Sequence, residues 1–424
     1  MKKIIIKDID QIVYYDVCDN GLPIYMVENK NVSDFYITFN VKYGSIDTEF
    51  KINDKKYKVS NGIAHFLEHV NFNIKENYTA HDLFRKIGSN INAFTTFDFT
   101  SYEVSSNNHF EDNLNYLLDY VQTSYLTEEV VNKEKGIITE EVRMGKNNPG
   151  KRIYFERNRA IYNKSKRRNL ITGEIDDVKG ITIDELQLVH DNFYTPKNMF
   201  IIITGNFDHN EASKIIKDNQ SKKKYYNYNN IEMIREKESD KVVTPYKEII
   251  DQQIEIPKVK IVYKINKNKF KDIDPEELQL YLYVIFHNNI GNTSSFKEEL
   301  FKEDKVSYLS GGTAIEGDYL TLNISIETKY PEEVIDRTIN KIKNMSISSD
   351  DLERNKRVRI ANLIYSYDDI EYVNTDIMDQ LIRYNKIYDN LFEIIEKLNI
   401  NKCEEILNRL DFTNQTVIVM KNNA

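Results

Sequence analysis

Two kinds of apolar spacing alternate along the chain. Short β-branched and aromatic runs, FYITFNVKYGS from Phe35 and MFIIITGNF from Met199 among them, read as strands. Longer stretches such as LTEEVVNKEKGIITEEVRM from Leu126 read as helices, so the pattern is mixed α and β. It breaks between about Asp218 and Val243, where DNQSKKKYYNYNNIEMIREKESDKVV is polar and repetitive with few large aliphatics. This segment reads as a linker, which predicts a first domain over 1–217, a linker over 218–243 and a second domain over 244–424.

The two halves share a layout. LFRKIGSNINAFTTFDFTSYEV from Leu83 and LFKEDKVSYLSGGTAIEGDYLTLNI from Leu300 each read as a helix end, a turn, a strand, a short loop and a second strand, at an offset that carries Tyr102 onto Tyr319. A helix follows each pair, HFEDNLNYLLDYVQT in one half and YPEEVIDRTINKIKNM in the other. Thr127 and Ser348 then stand where they can cap a next helix, with acids two or three residues on. Coincidence between two α/β segments is the plainer alternative, but a duplicated domain accounts for the whole layout.

Length and composition agree with two domains. A chain of 424 residues exceeds one ordinary domain, and 40% hydrophobic with 29% charged residues belongs to folded globular proteins. A net charge of −9 argues against general nucleic-acid binding, which draws on an excess of Lys and Arg. No apolar run approaches the roughly 20 residues of a membrane span, and the opening MKKIIIKDIDQIVYYD places acids where a secretory signal needs an apolar stretch. The expected location is the cytoplasm. Cys18 and Cys403 have no C-x-x-C spacing, so neither a disulfide framework nor a thiolate metal site is expected.

The chemistry concentrates in GIAHFLEHVNF. On a helix His65 and His69 lie about 40° apart and Glu68 falls on the same side. Two imidazoles four residues apart can bind one cation, and the carboxylate beside them can take a proton from water at that cation, the spacing of an inverted zinc motif. A lone histidine on an apolar face is usually structural; a pair with this Glu between is much rarer. A catalytic zinc wants a third protein ligand, and the helix KEKGIITEEVRM offers candidates. Glu141, four after Ile137 and three after Ile138, projects among apolar residues, whereas Glu140 follows Lys133 and Gly136 round the polar face. Glu141 is therefore the expected ligand. Glu134, seven earlier, is an acceptor that could orient a histidine.

HFLEHVNF and the acidic helix from Glu134 to Glu141 together resemble the pitrilysin or insulinase family of metallopeptidases, peptidase family M16. The likeness spans nearly the whole chain. NAFTTFDFTSY from Asn92 resembles the family's substrate-binding edge strand, DELQLVHDNFYTPKNMFIIITGNFD its first-domain closing segment, and SDDLERNKRVRIANL a second-domain helix. The resemblance implies an α+β fold of the LuxS/M16-like metallopeptidase class. It has two homologous domains, each a mostly antiparallel sheet packed with helices, and is clamshell-forming. It further implies Zn2+ held by His65, His69 and Glu141, a base at Glu68, and peptide binding along Asn92, Ala93 and Phe94. The length is similar to that of the two-chain bacterial and mitochondrial-processing branch, which implies a related partner chain, in a heterodimer or a homodimer.

One departure bears on that partner. The family's second half carries an arginine seven residues before a tyrosine, a pair that holds substrate backbone and the transition-state oxygen. Here the tyrosine position is Tyr308, and the arginine position is Phe301, with Lys302 adjacent. Lysine lacks the planar fork of arginine. The expected function is a zinc endopeptidase acting on peptides or unfolded segments as the catalytic subunit of a two-chain assembly. The rivals are a non-catalytic structural or assembly subunit, and a carrier that binds peptides without cutting them.

Overall fold

Phe35–Val41 and Met199–Gly205 are buried at every position, as strands covered on both faces must be, and they lie side by side at the centre of a seven-stranded sheet. The computed structural model, which describes residues 1–9, 11–224, 230–292 and 294–423, orders this sheet as Lys2–Ile6, Gln11–Val17, Pro23–Glu28, Met199–Gly205, Phe35–Val41, Thr100–Ser106 and Asn90–Thr95. Only Pro23–Glu28 and Met199–Gly205 run parallel; the other neighbours are antiparallel. Asn90–Thr95 is therefore an edge strand. The five strands from Pro23–Glu28 to this edge recur in a second sheet, ordered Tyr246–Ile250, Gln415–Lys421, Lys258–Asn266, Tyr319–Glu327 and Tyr308–Glu316. It too has one parallel pair followed by three antiparallel steps.

The duplicated layout extends to the helices. Ala80–Arg85 and Phe110–Gln122 bracket the first edge hairpin as Ser295–Lys302 and Pro331–Lys343 bracket the second. Thr127 Oγ1 accepts from the Val130 amide and Ser348 Oγ from the Asp351 amide, so both act as helix caps. The residue correspondence is less regular than the offset suggests. Tyr102 is the third residue of its strand, and Tyr319 is the first of its own.

The compact units do not follow the order of the chain. One consists of Met1–Met144, Asn169–Arg235 and Ile364–Asn390, the other of Gly145–Arg168, Glu236–Leu363 and Leu391–Ala424. Against the expected division at a 218–243 linker, the change of unit at Arg235 falls within that linker, and two segments are exchanged between the units. Residues 225–229 of that linker lie outside the described residues.

Buried polar side chains account for both exchanges. Helix Ile370–Tyr384 joins the first sheet through Asn374, which is fully buried. Its Oδ1 accepts from Thr38 Oγ1 at 2.6 Å, and its Nδ2 donates to the Tyr36 and Ile202 carbonyls at 3.3 Å each. Helix Pro149–Ile161 joins the second sheet through Ile153 and Ala160, packed with Ile418 and Met420, and through Arg157, which is 3% exposed. The Arg157 fork donates to both oxygens of Glu316, at 2.9 and 3.2 Å, and to Asn323 Oδ1 at 2.8 Å; Tyr162 OH donates to Glu316 at 2.7 Å. Neither residue can be freed without burying an unmet polar group.

Burial would push the Glu316 carboxyl up, but the Arg157 guanidinium and the Tyr162 hydroxyl outweigh it and hold the group below its usual range. A depressed carboxyl stabilises the fold fully above its unfolded pKa, about 4.3, and the contribution is lost as pH falls through the lower folded value. Arg157→Met is therefore expected to cost about 3–5 kcal/mol at neutral pH, the usual penalty for orphaning a buried charge. Urea denaturation should show this cost shrinking as pH is lowered through the titration of Glu316.

Candidate metal centre

The site begins with a turn that only glycine can make. Gly62 opens helix Ile63–Asn71 at φ +82°, and a Cβ there would stand 2.2 Å from the Thr172 carbonyl oxygen. Ser60, just before it, is held by Glu185, which accepts from both its amide and its hydroxyl. The helix itself is a core element. Ile63, Ala64, Phe66, Leu67 and Val70 are buried, and the polar side chains His65, Glu68 and His69 gather where the acidic helix Glu128–Asn147 approaches.

There the predicted ligands converge. Glu141 Oε2 lies 3.5 Å from His65 Nε2 and 3.6 Å from His69 Nε2, and ligand atoms of His65, Glu68 and His69 all fall within 4.8 Å of one another. Two ligands of a tetrahedral zinc, each about 2.0–2.1 Å from the ion, stand roughly 3.4 Å apart. The separations here are long for hydrogen bonds and fit that spacing. Glu134 Oε2 meets the other ring nitrogen of His69, Nδ1, at 3.3 Å, which leaves Nε2 directed at Glu141. Asn73 Nδ2 in turn donates to Glu134 Oε1 at 3.5 Å.

The electrostatics ask for a cation. Burial works against charge on His69, yet Glu134, Glu141 and Glu68 around it prevail and push its pKa up to about 9. A divalent ion held between these side chains would meet the same negative charge. The Glu68 carboxyl is raised by burial, with the Thr95 hydroxyl and His69 opposing and Glu141 and Glu103 adding to the rise. A raised carboxyl is the better proton acceptor.

His65, Glu68, His69, Glu134 and Glu141 are thus brought together within the first unit. The expected reason for Glu141 holds only in part. Ile138 is buried, but Ile137 is 45% exposed, so Glu141 sits on the border of the buried face, its side chain 38% exposed. Glu140 points outward and pairs with Arg143. Asn92, Ala93 and Phe94 lie on edge strand Asn90–Thr95, Asn92 exposed and the other two half-buried. Tyr308 belongs to the second unit and is 49% exposed at the start of Tyr308–Glu316; Phe301 is exposed on Ser295–Lys302, and Lys302 pairs with Glu298 at 2.5 Å. Sequence reasoning missed Asn73 and Thr95. Asn73 follows His69 by four, and Thr95 follows Ala93 by the two-residue period that returns a strand to the same face.

An imidazole pair and a carboxylate on two helices, with an acid beside them, form a group of side chains that could hold a metal ion. The pattern described as Insulinase (Peptidase family M16) matches residues 37–173, and the Peptidase M16 inactive domain matches 180–359. The chain belongs to peptidase family M16. It is 30% identical over 424 residues to the uncharacterized zinc protease YmfH of Bacillus subtilis, covering 96% of this chain and 95% of that one. It is 24% identical over 204 residues to zinc protease PqqE of Helicobacter pylori, covering 47% and 44%. Among solved structures, an M16-like chain of Alicyclobacillus acidocaldarius shares the fold at a TM-score of 0.90 and 24% identity, covering 97% and 98%. A chain of Complex III2 from Candida albicans shares it at 0.74 and 14%, covering 96% of each. Relatives named as zinc proteases support a peptidase. Among the described residues no helix is long and apolar enough to cross a membrane.

The geometry separates two adjacent acids. Glu141→Gln should release zinc or weaken its binding severely, and Glu140→Gln should leave it unchanged, as measured by metal analysis after dialysis against a weak chelator.

Proposed function

We propose that the chain is a zinc-dependent endopeptidase for peptides or unfolded segments, with His65, His69 and Glu141 holding the metal and Glu68 as the general base. The observation that carries this is the approach of both imidazole Nε2 atoms to one oxygen of Glu141, with Glu68 alongside. A zinc ion there supplies Lewis acidity, polarising a peptide carbonyl and lowering the pKa of water. Glu68 takes the proton of the attacking water and passes it to the leaving amine. Glu134 keeps His69 in one orientation. Among the described residues strand Asn90–Thr95 pairs with another strand on one side only, so an extended peptide can add to its other edge beside Asn92, Ala93 and Phe94. Main-chain hydrogen bonds of that kind bind many sequences.

The fold alone does not establish catalysis. A non-catalytic subunit has no use for a proton acceptor beside the ligand set, however, and this distinction can be measured. The purified chain should hold one zinc and cleave an unstructured peptide until a chelator is added. Glu68→Gln should abolish cleavage with zinc retained. Undiminished turnover in that variant would refute the role of Glu68; a zinc-loaded wild type that never cleaves would favour the non-catalytic reading.

The partner follows from Phe301, whose hydrocarbon ring cannot donate to a developing oxyanion as an arginine would. Loss of one such donor typically costs about 10² to 10³ in rate. We therefore assign the chain to a heterodimer whose second member lacks zinc ligands and carries the arginine–tyrosine pair. Adding such a chain should raise turnover by about that factor. Full activity of the chain by itself, unchanged by the addition, would show that Tyr308 and Lys302 suffice.

A further inference from the structure

We infer that Thr95 is a positioning residue that ties the orientation of Glu68 to the strand on which substrate would lie. The inference rests on the peptidase reading above. Thr95 Oγ1 donates to Glu68 Oε2 at 2.6 Å, within the short range of hydrogen bonds to an ionised acceptor. Glu68 sits in a buried helix, so its Cα is fixed and the side-chain torsions are what remain to be set. A donor on one oxygen sets the plane of the carboxylate and thereby the direction of the other.

The surroundings make this donor hard to replace. Two of the charges acting on Glu68, Glu141 and Glu103, are acids that repel it; His69 attracts it but is engaged by Glu134 and Glu141. Burial limits the water that could stand in for the hydroxyl. The donor is also rigidly mounted. Thr95 is the last residue of Asn90–Thr95 and pairs with Thr100, and the turn beyond it is closed by Thr96, whose amide and hydroxyl both donate to the Phe99 carbonyl. Phe94 packs against Phe99 at 5.7 Å between ring centroids.

Thr95 therefore joins two parts of the proposed chemistry. Its backbone ends the strand that an extended peptide would lengthen into a sheet, and its side chain holds the base.

A merely structural hydroxyl would satisfy itself on Glu68 without affecting turnover, and the two roles differ in what a variant changes. In the full chain, with its partner where activity requires one, Thr95→Val keeps the shape and removes the donor. We expect kcat to fall by about ten- to a hundredfold, the usual effect of losing a group that orients a catalytic one. KM and zinc content should be unchanged, and Thr95→Ser should restore most of the rate. Crystal structures of the zinc-loaded wild type and Thr95→Val should show the Glu68 carboxylate turned in the variant. If Thr95→Val fails to fold, Thr95→Ala serves in its place. Wild-type kcat in the variant, a loss that serine does not restore, or an unmoved carboxylate would each overturn the inference. Failure of the peptidase reading shows elsewhere, in wild type without turnover or in an active Glu68→Gln, and the crystallographic comparison still decides whether Thr95 orients Glu68.

Discussion

A carboxylate removed from water is costly unless a cation or several donors meet it, and the first unit is arranged around that constraint. Glu68, Glu134 and Glu141 stand round two imidazoles on a helix whose other side chains are core residues. Each acid has a distinct answer. Glu134 is met by His69 and Asn73, Glu68 by Thr95 and His69, and Glu141 by the two imidazole nitrogens that it shares. The raised pKa of His69 expresses the negative charge gathered round it.

The second unit shows what the same topology becomes without that constraint. Its helix Pro275–Ile290 lies against edge strand Tyr308–Glu316, as Ile63–Asn71 lies against Asn90–Thr95, and it is filled with Leu, Tyr, Val, Ile and Phe. Gly311 on the edge strand leaves room for Phe286 and Ile290, so apolar side chains occupy this helix–strand contact. The match of this half to the inactive-domain pattern of the family agrees with its chemistry. Its buried charge lies elsewhere, in Lys264 with Glu238 and in Arg157 with Glu316, where a bidentate pair and neighbouring amides leave little unmet.

How much of this can be read from the chain depends on the distance over which a signal acts. The histidine pair and Glu68 fall within one turn of a helix, so spacing alone brings them together. Glu141 is legible from the apolar positions around it, although Ile137 belongs to the exposed side and only Ile138 supports the argument as made. Thr95 escapes because a threonine at a strand end has many uses, and its partner Glu68 lies 27 residues earlier. The exchanged helices are less legible still. Asn374 meets Thr38 across 336 residues and Arg157 meets Glu316 across 159, and no local pattern marks an Asn or an Arg for a partner so remote.

That exchange also sets when each unit can exist during synthesis. The first unit has its metal-site residues in place by Glu141, but its last helix runs from Ile370 to Tyr384. A nascent chain therefore carries the whole histidine and carboxylate set long before Asn374 emerges to satisfy Thr38 and the strand carbonyls beside it. Completion of the first unit is deferred until Ile370–Tyr384 has left the ribosome, and severing the chain between the two halves of its sequence would leave each unit without a helix. Each of the two halves, alike in topology, thus takes a helix from the other half of the sequence.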